Sequence, residues 1–263
     1  MPNSVQVIEF RVPIDRVRRL SDAQRYTYYL LGFIFNELMC LRKLISFSLQ
    51  QRGADMRPVR LNAETSQILL LFRIACAKLW EVQLKLNAKE VSSVLRKDVW
   101  PHWPDGAGAL KAVNAAVSNA EWLPRVRNGL GFHYPTLGQW KAYITPTDDW
   151  VDDIIYSGAE NGNHFYDASE SVAKHHMFGF EAPMKPEQVK QTIDEMVALL
   201  GLVSNVVEES VGVFIANHLL PDDPLDGPVH AISAPKYTEQ RIPFWTEMSG
   251  AKKRKSRRSG NAA

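Results

Sequence analysis

Residues 66–86 read SQILLLFRIACAKLWEVQLKL. The stretch is helical in pattern, and its apolar residues nearly surround the helix rather than keeping to one stripe. That arrangement implies burial on more than one side. Arg73, Lys78 and Glu81 interrupt it, and a charge on such a helix needs a polar outlet or a partner. Asn62 is a good N-cap for this helix.

The neighbouring segments are helical too. Upstream, Ser21 to Gln24 read as a capping box, the hydroxyl taking the N3 amide and the glutamine reaching back. The helix that follows carries Leu31, Phe35, Leu38, Leu41 or Arg42, Ile45 and Leu49 at helical spacing, and it is expected to end near Gly53. Downstream, Asn87 to Glu90 read as a second capping box, opening a short helix to about Trp100. WPHWPDGAG, residues 100–108, then breaks the chain with prolines and glycines. Short helices are expected over 108–118, around 137–143 and over 168–178. The last strong element begins at Pro186, which suits a first helical turn. Ile193, Met196, Leu199 or Leu200, Val203, Val207, Val211 and Phe214 form its apolar face, weakened locally by Gly201 and Gly212. Only residues 5–12, VQVIEFRV, alternate enough for a short strand or an extended arm. The sum is an all-α helical bundle with additional short helices.

Of the 263 residues, 45% are apolar and 23% charged, an ordinary globular balance. The expected organisation is an N-terminal arm over 1–20, a helical domain over 21–220, and a Pro-rich segment with a basic tail over 221–263. The last 13 residues hold six Lys/Arg and no acid, so 25 basic residues face 29 acidic ones in the remainder. A mildly acidic body thus carries a basic, disordered tail, suited to phosphate backbones without sequence preference. MPNSVQVIEF has no basic start before an apolar core, so no secretory leader is expected. The most apolar run, residues 28–40, is 13 long and holds Asn36 and Glu37. A spanning helix needs about 20 apolar residues, so this reads as a core helix and no membrane partner is expected. Cys40 and Cys76 lie in apolar helical patterns as buried free thiols, which fits a cytoplasmic protein.

The chemistry concentrates in RVRNGLGFHYP, residues 125–135. Pro124 starts or kinks its helix, and Pro135 pushes Tyr134 out of helical geometry, so the helix ends at or before it. Gly129 and Gly131 let the last turn tighten or open. Arg127 and His133 are six residues apart, about 240° of rotation and about 9 Å of rise on an ideal helix. They converge only if the helix end is distorted or a second chain brings its own copy.

RNGLGFH, residues 127–133, resembles the Arg-polar-x(3–5)-His signature of the HEPN superfamily, with Asn128 in the polar position. FNELMCLRKLISF (35–47) and LLLFRIACAKLWEVQLKL (69–86) are similar in character to the first two helices of abortive-infection-type HEPN proteins. The resemblance covers about residues 20–145. It implies a helical bundle whose homodimer brings two motifs into one cleft, and a metal-independent endoribonuclease with no cofactor. His133 would be the acid/base, Arg127 the stabiliser of the phosphorane, and Asn128 the positioner. Arg125, Tyr134 and the basic tail would bind RNA, and an antitoxin protein is a candidate partner. Family toxins of one class carry a tyrosine two residues after the histidine as a nucleotide acceptor. Here Tyr134 follows His133 directly, which departs from that pattern.

The same residues also fit a plain helix C-terminus, with His133 favoured by the dipole and Arg127 in an ion pair. A non-catalytic nucleotide- or protein-binding module is the corresponding alternative. TDDWVDDI (147–154), with His164, His175 and His176, matches no standard ligand spacing and reads as a solvated acidic turn. His102, His218 and His230 read as surface or packing histidines. Trp100, Trp103, Trp122 and Trp140 read as packing residues. Neither a phosphate-cradling loop nor a G-x-S-x-G elbow is present.

Overall fold

The all-around apolar stretch becomes the central helix of the bundle. The computed structural model describes residues 4–49, 57–144, 152–158, 162–179, 186–220 and 227–247. The central helix, α3, runs from Pro58 to Asn87 and packs against α2 (Asp22–Leu49) and the last long helix, α9 (Pro186–Phe214). Ile68, Leu69, Phe72, Ala75, Cys76, Leu79, Val82 and Leu86 are buried along it. Arg73, Lys78 and Glu81 all find partners. Lys78 Nζ lies 2.8 Å from Glu37 on α2, and Arg73 Nη2 lies 2.6 Å from Glu170. Glu81 receives Arg127 at 2.8 Å. Each pair fastens α3 to a different part of the chain.

α2 begins with the expected capping box. The Ser21 amide donates to Gln24 Oε1 at 2.9 Å, and the Gln24 amide donates to Ser21 Oγ at 3.3 Å. On α9, Met196, Leu199, Leu200, Val203, Val207 and Phe214 are buried. By length and composition, Glu187–Leu219 is apolar enough to cross a membrane; here one face of it is buried on α2, α3 and α5 (Gly106–Asn119). The remaining helices are short: α1 (Ile14–Arg19), α4 (Lys89–Val94), α6 (Trp122–Val126), α7 (Leu137–Trp140) and α8 (Asp167–Phe178). Thr136 caps α7 in a reciprocal box with Gln139.

Two helix starts differ from expectation. α3 begins at Pro58, not Asn62, because proline in the first turn lacks only an N–H that would go unused and arrives with helical φ. Asn62 instead donates to Asp167 Oδ2 at 2.8 Å. At the other end, Asn87 is the last residue of α3 rather than a cap for α4. Its amide donates to Gln83 O and to Asn114 Oδ1 on α5, so tertiary partners claim it. Ala88 makes the break between the helices by its backbone alone.

The N-terminal strand β1 (Ser4–Ile8) pairs antiparallel with β4 (Val229–Ser233), Val5 opposite Ile232. A second small ladder joins β2 (Ile155–Ser157) to β3 (His164–Tyr166). Residues 227–247 are tied to the bundle: Gln67 donates to Ile242 O at 3.0 Å, and Trp245 Nε1 donates to Val59 O at 3.2 Å. The basic tail lies outside the described residues, as do residues 147–151 of the acidic turn. Cys76 is buried and its thiol is pushed up to about 12 by that burial, whereas Cys40 is exposed on α2, contrary to the expectation of two buried thiols. α2 presents one face to the core, and Cys40 stands on the other.

Phe72→Ala at the centre of α3 is expected to cost about 3–5 kcal/mol in urea-unfolding free energy. Leu84→Ala on the exposed side should change it by less than about 0.5 kcal/mol.

Candidate functional site

The site forms where α6 leaves helical geometry. Pro124 occupies the first turn of α6, where its missing N–H costs nothing. From Arg127 to Gly131 the chain turns into a π-helix, and Phe132 ends it. The helix end is therefore distorted, one of the two conditions under which Arg127 and His133 could converge. π turns also close helices at Leu95–Val99 and Ile215–Leu219, so π geometry alone does not mark the site.

What distinguishes this turn is how it is seated. Among the described residues only Gly179 has a positive φ, so Gly129 and Gly131 serve close approach rather than a left-handed backbone. A Cβ on Gly129 would collide with His176 Nε2 of α8. One on Gly131 would stand 2.8 Å from Ala77 Cβ and 3.3 Å from Arg73 O on α3. Neither glycine tolerates a side chain without displacing a packed helix.

Arg127 is half-buried and well anchored. Nη2 donates to Glu81 Oε1 at 2.8 Å, Nη1 donates to Asn128 Oδ1 at 2.8 Å, and the guanidinium carbon stands 5.9 Å from the centre of the Trp80 ring. Its Nε is buried and has no partner among the described residues. Asn128 is exposed. His133 is exposed and forms no hydrogen bond or ion pair with another described residue. Arg127 and His133 thus share one turn and its following loop without bonding to each other. Tyr134 is 99% exposed, with Phe132 and Leu137 also exposed beside it. Arg125 is turned elsewhere: its Nε donates to Met177 O at 3.3 Å, and its guanidinium lies over Gly179 at the C-terminus of α8. A cation there meets the negative end of the helix dipole.

Reading the sequence alone missed His176, Glu81 and Trp80 as parts of this site. Glu81 was visible as a charge on an apolar helix, but its partner was not. His176 was weighed only as a metal ligand with the acidic turn, a role its spacing did not fit. It is instead buried, edge-on to Tyr143 with ring centroids 5.4 Å apart, and neither ring nitrogen has a partner among the described residues. Burial pushes its pKa down, and the nearby Arg125 charge adds to that. His164 bonds to Ser157 Oγ across the β2–β3 ladder, Asp152 and Asp153 are exposed, and among the described residues no three of His, Cys, Asp and Glu gather as a metal site. His218 bonds to Asp98 O and packs on Phe214, and His230 pairs with Glu9.

No protein-family model, no curated protein and no solved structure matches the chain.

Gly129→Ala should destabilise the protein by about 1–3 kcal/mol through forced displacement of His176. Gly201→Ala, where a Cβ meets nothing within 4 Å, should be neutral or stabilising; thermal melts compare the two. A lowered native pKa at His176 means that the unfolded chain binds the proton more readily. Stability is then complete above about pH 6.5 and falls as pH drops from there through the lowered native value. His176→Leu should flatten that slope in urea titrations between about pH 7 and 5.

Proposed function

We propose that this chain is a metal-independent endoribonuclease of the HEPN type, acting as a cytoplasmic homodimer in a bacterial defence or toxin-like setting. The observation that carries the reading is the placement of Arg127. Its guanidinium is held by Glu81 and Asn128 at a distorted helix end, and an exposed His133 follows within the same loop. RNA cleavage by the 2′-hydroxyl needs these two chemistries. A base takes the 2′-OH proton as that oxygen attacks phosphorus, and an acid gives a proton to the 5′-oxygen as the P–O5′ bond breaks. Imidazole serves either role near neutral pH. The guanidinium faces the extra negative charge of the phosphorane. Two copies supply two histidines, one for each proton transfer.

The exposed Phe132, Tyr134 and Leu137 around His133 support self-association at this end of the molecule, since they offer apolar surface at the motif itself. The basic tail adds non-specific attraction to RNA. An antitoxin protein covering the same loop would silence the enzyme.

A second reading has its own support. Glu81 already neutralises Arg127, as in a purely structural ion pair. On that reading the protein is a non-catalytic helical module binding a nucleotide or a partner protein.

His133→Ala is expected to reduce cleavage of total RNA in EDTA by about 10²–10⁴-fold, with helical circular dichroism unchanged. The products of the unaltered protein should carry 2′,3′-cyclic phosphate ends. Equal cleavage by the variant refutes the nuclease, and binding without cleavage favours the second reading. Leu137→Asp is expected to convert a dimer into a monomer in light scattering.

A further inference from the structure

A cleft of about 580 Å³ opens beside α8, between α3, β3 and the segment at Pro243 and Phe244. That volume lies within the roughly 300–1,000 Å³ of small-molecule sites. Its walls are aromatic. Phe165 stands edge-to-face with Phe244, ring centroids 5.4 Å apart, and Tyr166 is 60% exposed at the rim. Leu70, half exposed, forms the α3 side. The outer wall is firmly held, because Gln67 fixes Ile242 on one side and Asn163 brackets Thr246 with two hydrogen bonds on the other.

Ser66, Ser169 and His164 line the cleft with groups that can donate or accept, and Glu170 and Gln67 add two acceptors at its edge. Glu170 gives one carboxylate oxygen to the buried Arg73, and its other oxygen bonds to no described residue. Gln67 donates its amide nitrogen to Ile242, which leaves its carbonyl oxygen as an acceptor. Flat apolar walls with two acceptors at the edge suit a planar heterocycle that presents N–H donors. Adenine, guanine and cytosine have an exocyclic amine for this purpose, whereas uracil offers carbonyl oxygens in its place.

We infer that this cleft binds a nucleobase, with preference for a base bearing an exocyclic amine. Its position links it to the motif. Ser66, Leu70, Arg73 and Ala77 recur at helical spacing on one face of α3, and Ala77 and Arg73 seat Gly131. Leu70 and Glu81, which holds the Arg127 guanidinium, are eleven residues apart, or about 16 Å along the helix. A base in the cleft and a phosphate at Arg127 are therefore within reach of one short strand. Assigning the base to an RNA strand rests on the ribonuclease reading; the affinity of the cleft for a base does not.

The test is fluorescence anisotropy with full-length protein and short 2′-O-methyl oligonucleotides, which cannot be cleaved, in adenine and uracil series. Calorimetry with AMP and UMP forms a second arm. The adenine oligonucleotide should bind more tightly than the uracil one. Leu70→Trp, which fills the cleft from an exposed position, should weaken it by about tenfold or more, the order of one base–aromatic stack. Its melting temperature should be unchanged, and Phe244→Ala should weaken binding in the same direction. Binding of AMP alone, lost in Leu70→Trp, keeps the cleft and assigns it to a free nucleotide. Affinities unaltered by both variants, or binding of neither series nor AMP, overturn the inference. Because the probes are uncleavable, loss of the His133 activity result leaves this outcome readable by itself.

Discussion

A central helix, buried on more than one side, that nevertheless carries Arg73, Lys78 and Glu81 sets the terms for the rest of the molecule. Arg73 is buried, and stripping a buried charge of its partner costs about 3–5 kcal/mol, whereas Lys78 and Glu81 are only partly buried and their pairs contribute less. Three of the segments that pack on α3 bring the complementary charge. α2 brings Glu37, α8 brings Glu170, and the turn after α6 brings Arg127. The third pair places a guanidinium at the surface in a fixed pose, so the constraint that closes the core also builds the candidate site.

The turn itself is fixed by shape. Gly129 and Gly131 carry no Cβ because the α8 and α3 side chains fill that space. The cost is a histidine, His176, packed against the turn with both nitrogens unpaired among the described residues. An imidazole in that position is tolerated only while neutral, which burial and the Arg125 charge both favour. The rigid seat ends at Gly131. Beyond it Phe132, His133 and Tyr134 are exposed, and the reactive imidazole proposed here belongs to this open part.

α3 and α8 together relate the two ends of this surface. Glu170, near the start of α8, closes the aromatic cleft, and His176, near its end, supports the motif turn. Arg73 touches both, its guanidinium on Glu170 and its carbonyl beside Gly131.

Much of the helical content was legible in the residues, because amphipathic spacing and the Ser21–Gln24 box are local signals. α8 and α9 fell where their patterns placed them. The errors came where a local cue met a tertiary competitor: Asn62 and Asn87 look like caps but bond to Asp167 and Asn114. Pro135 marked the end of the helix, but the spacing of Arg127 and His133 left distortion and a second chain as alternatives. The sequence alone determined that the chain is helical, that α3 is buried on more than one side, and that its charges need partners, since periodicity and desolvation act within short stretches. Only the tertiary structure decided which partners those are, that His176 lies under the turn, and that residues 242–246 wall a cleft with α3. Contacts between residues far apart in the chain depend on how helices are laid together, and no short stretch contains that information.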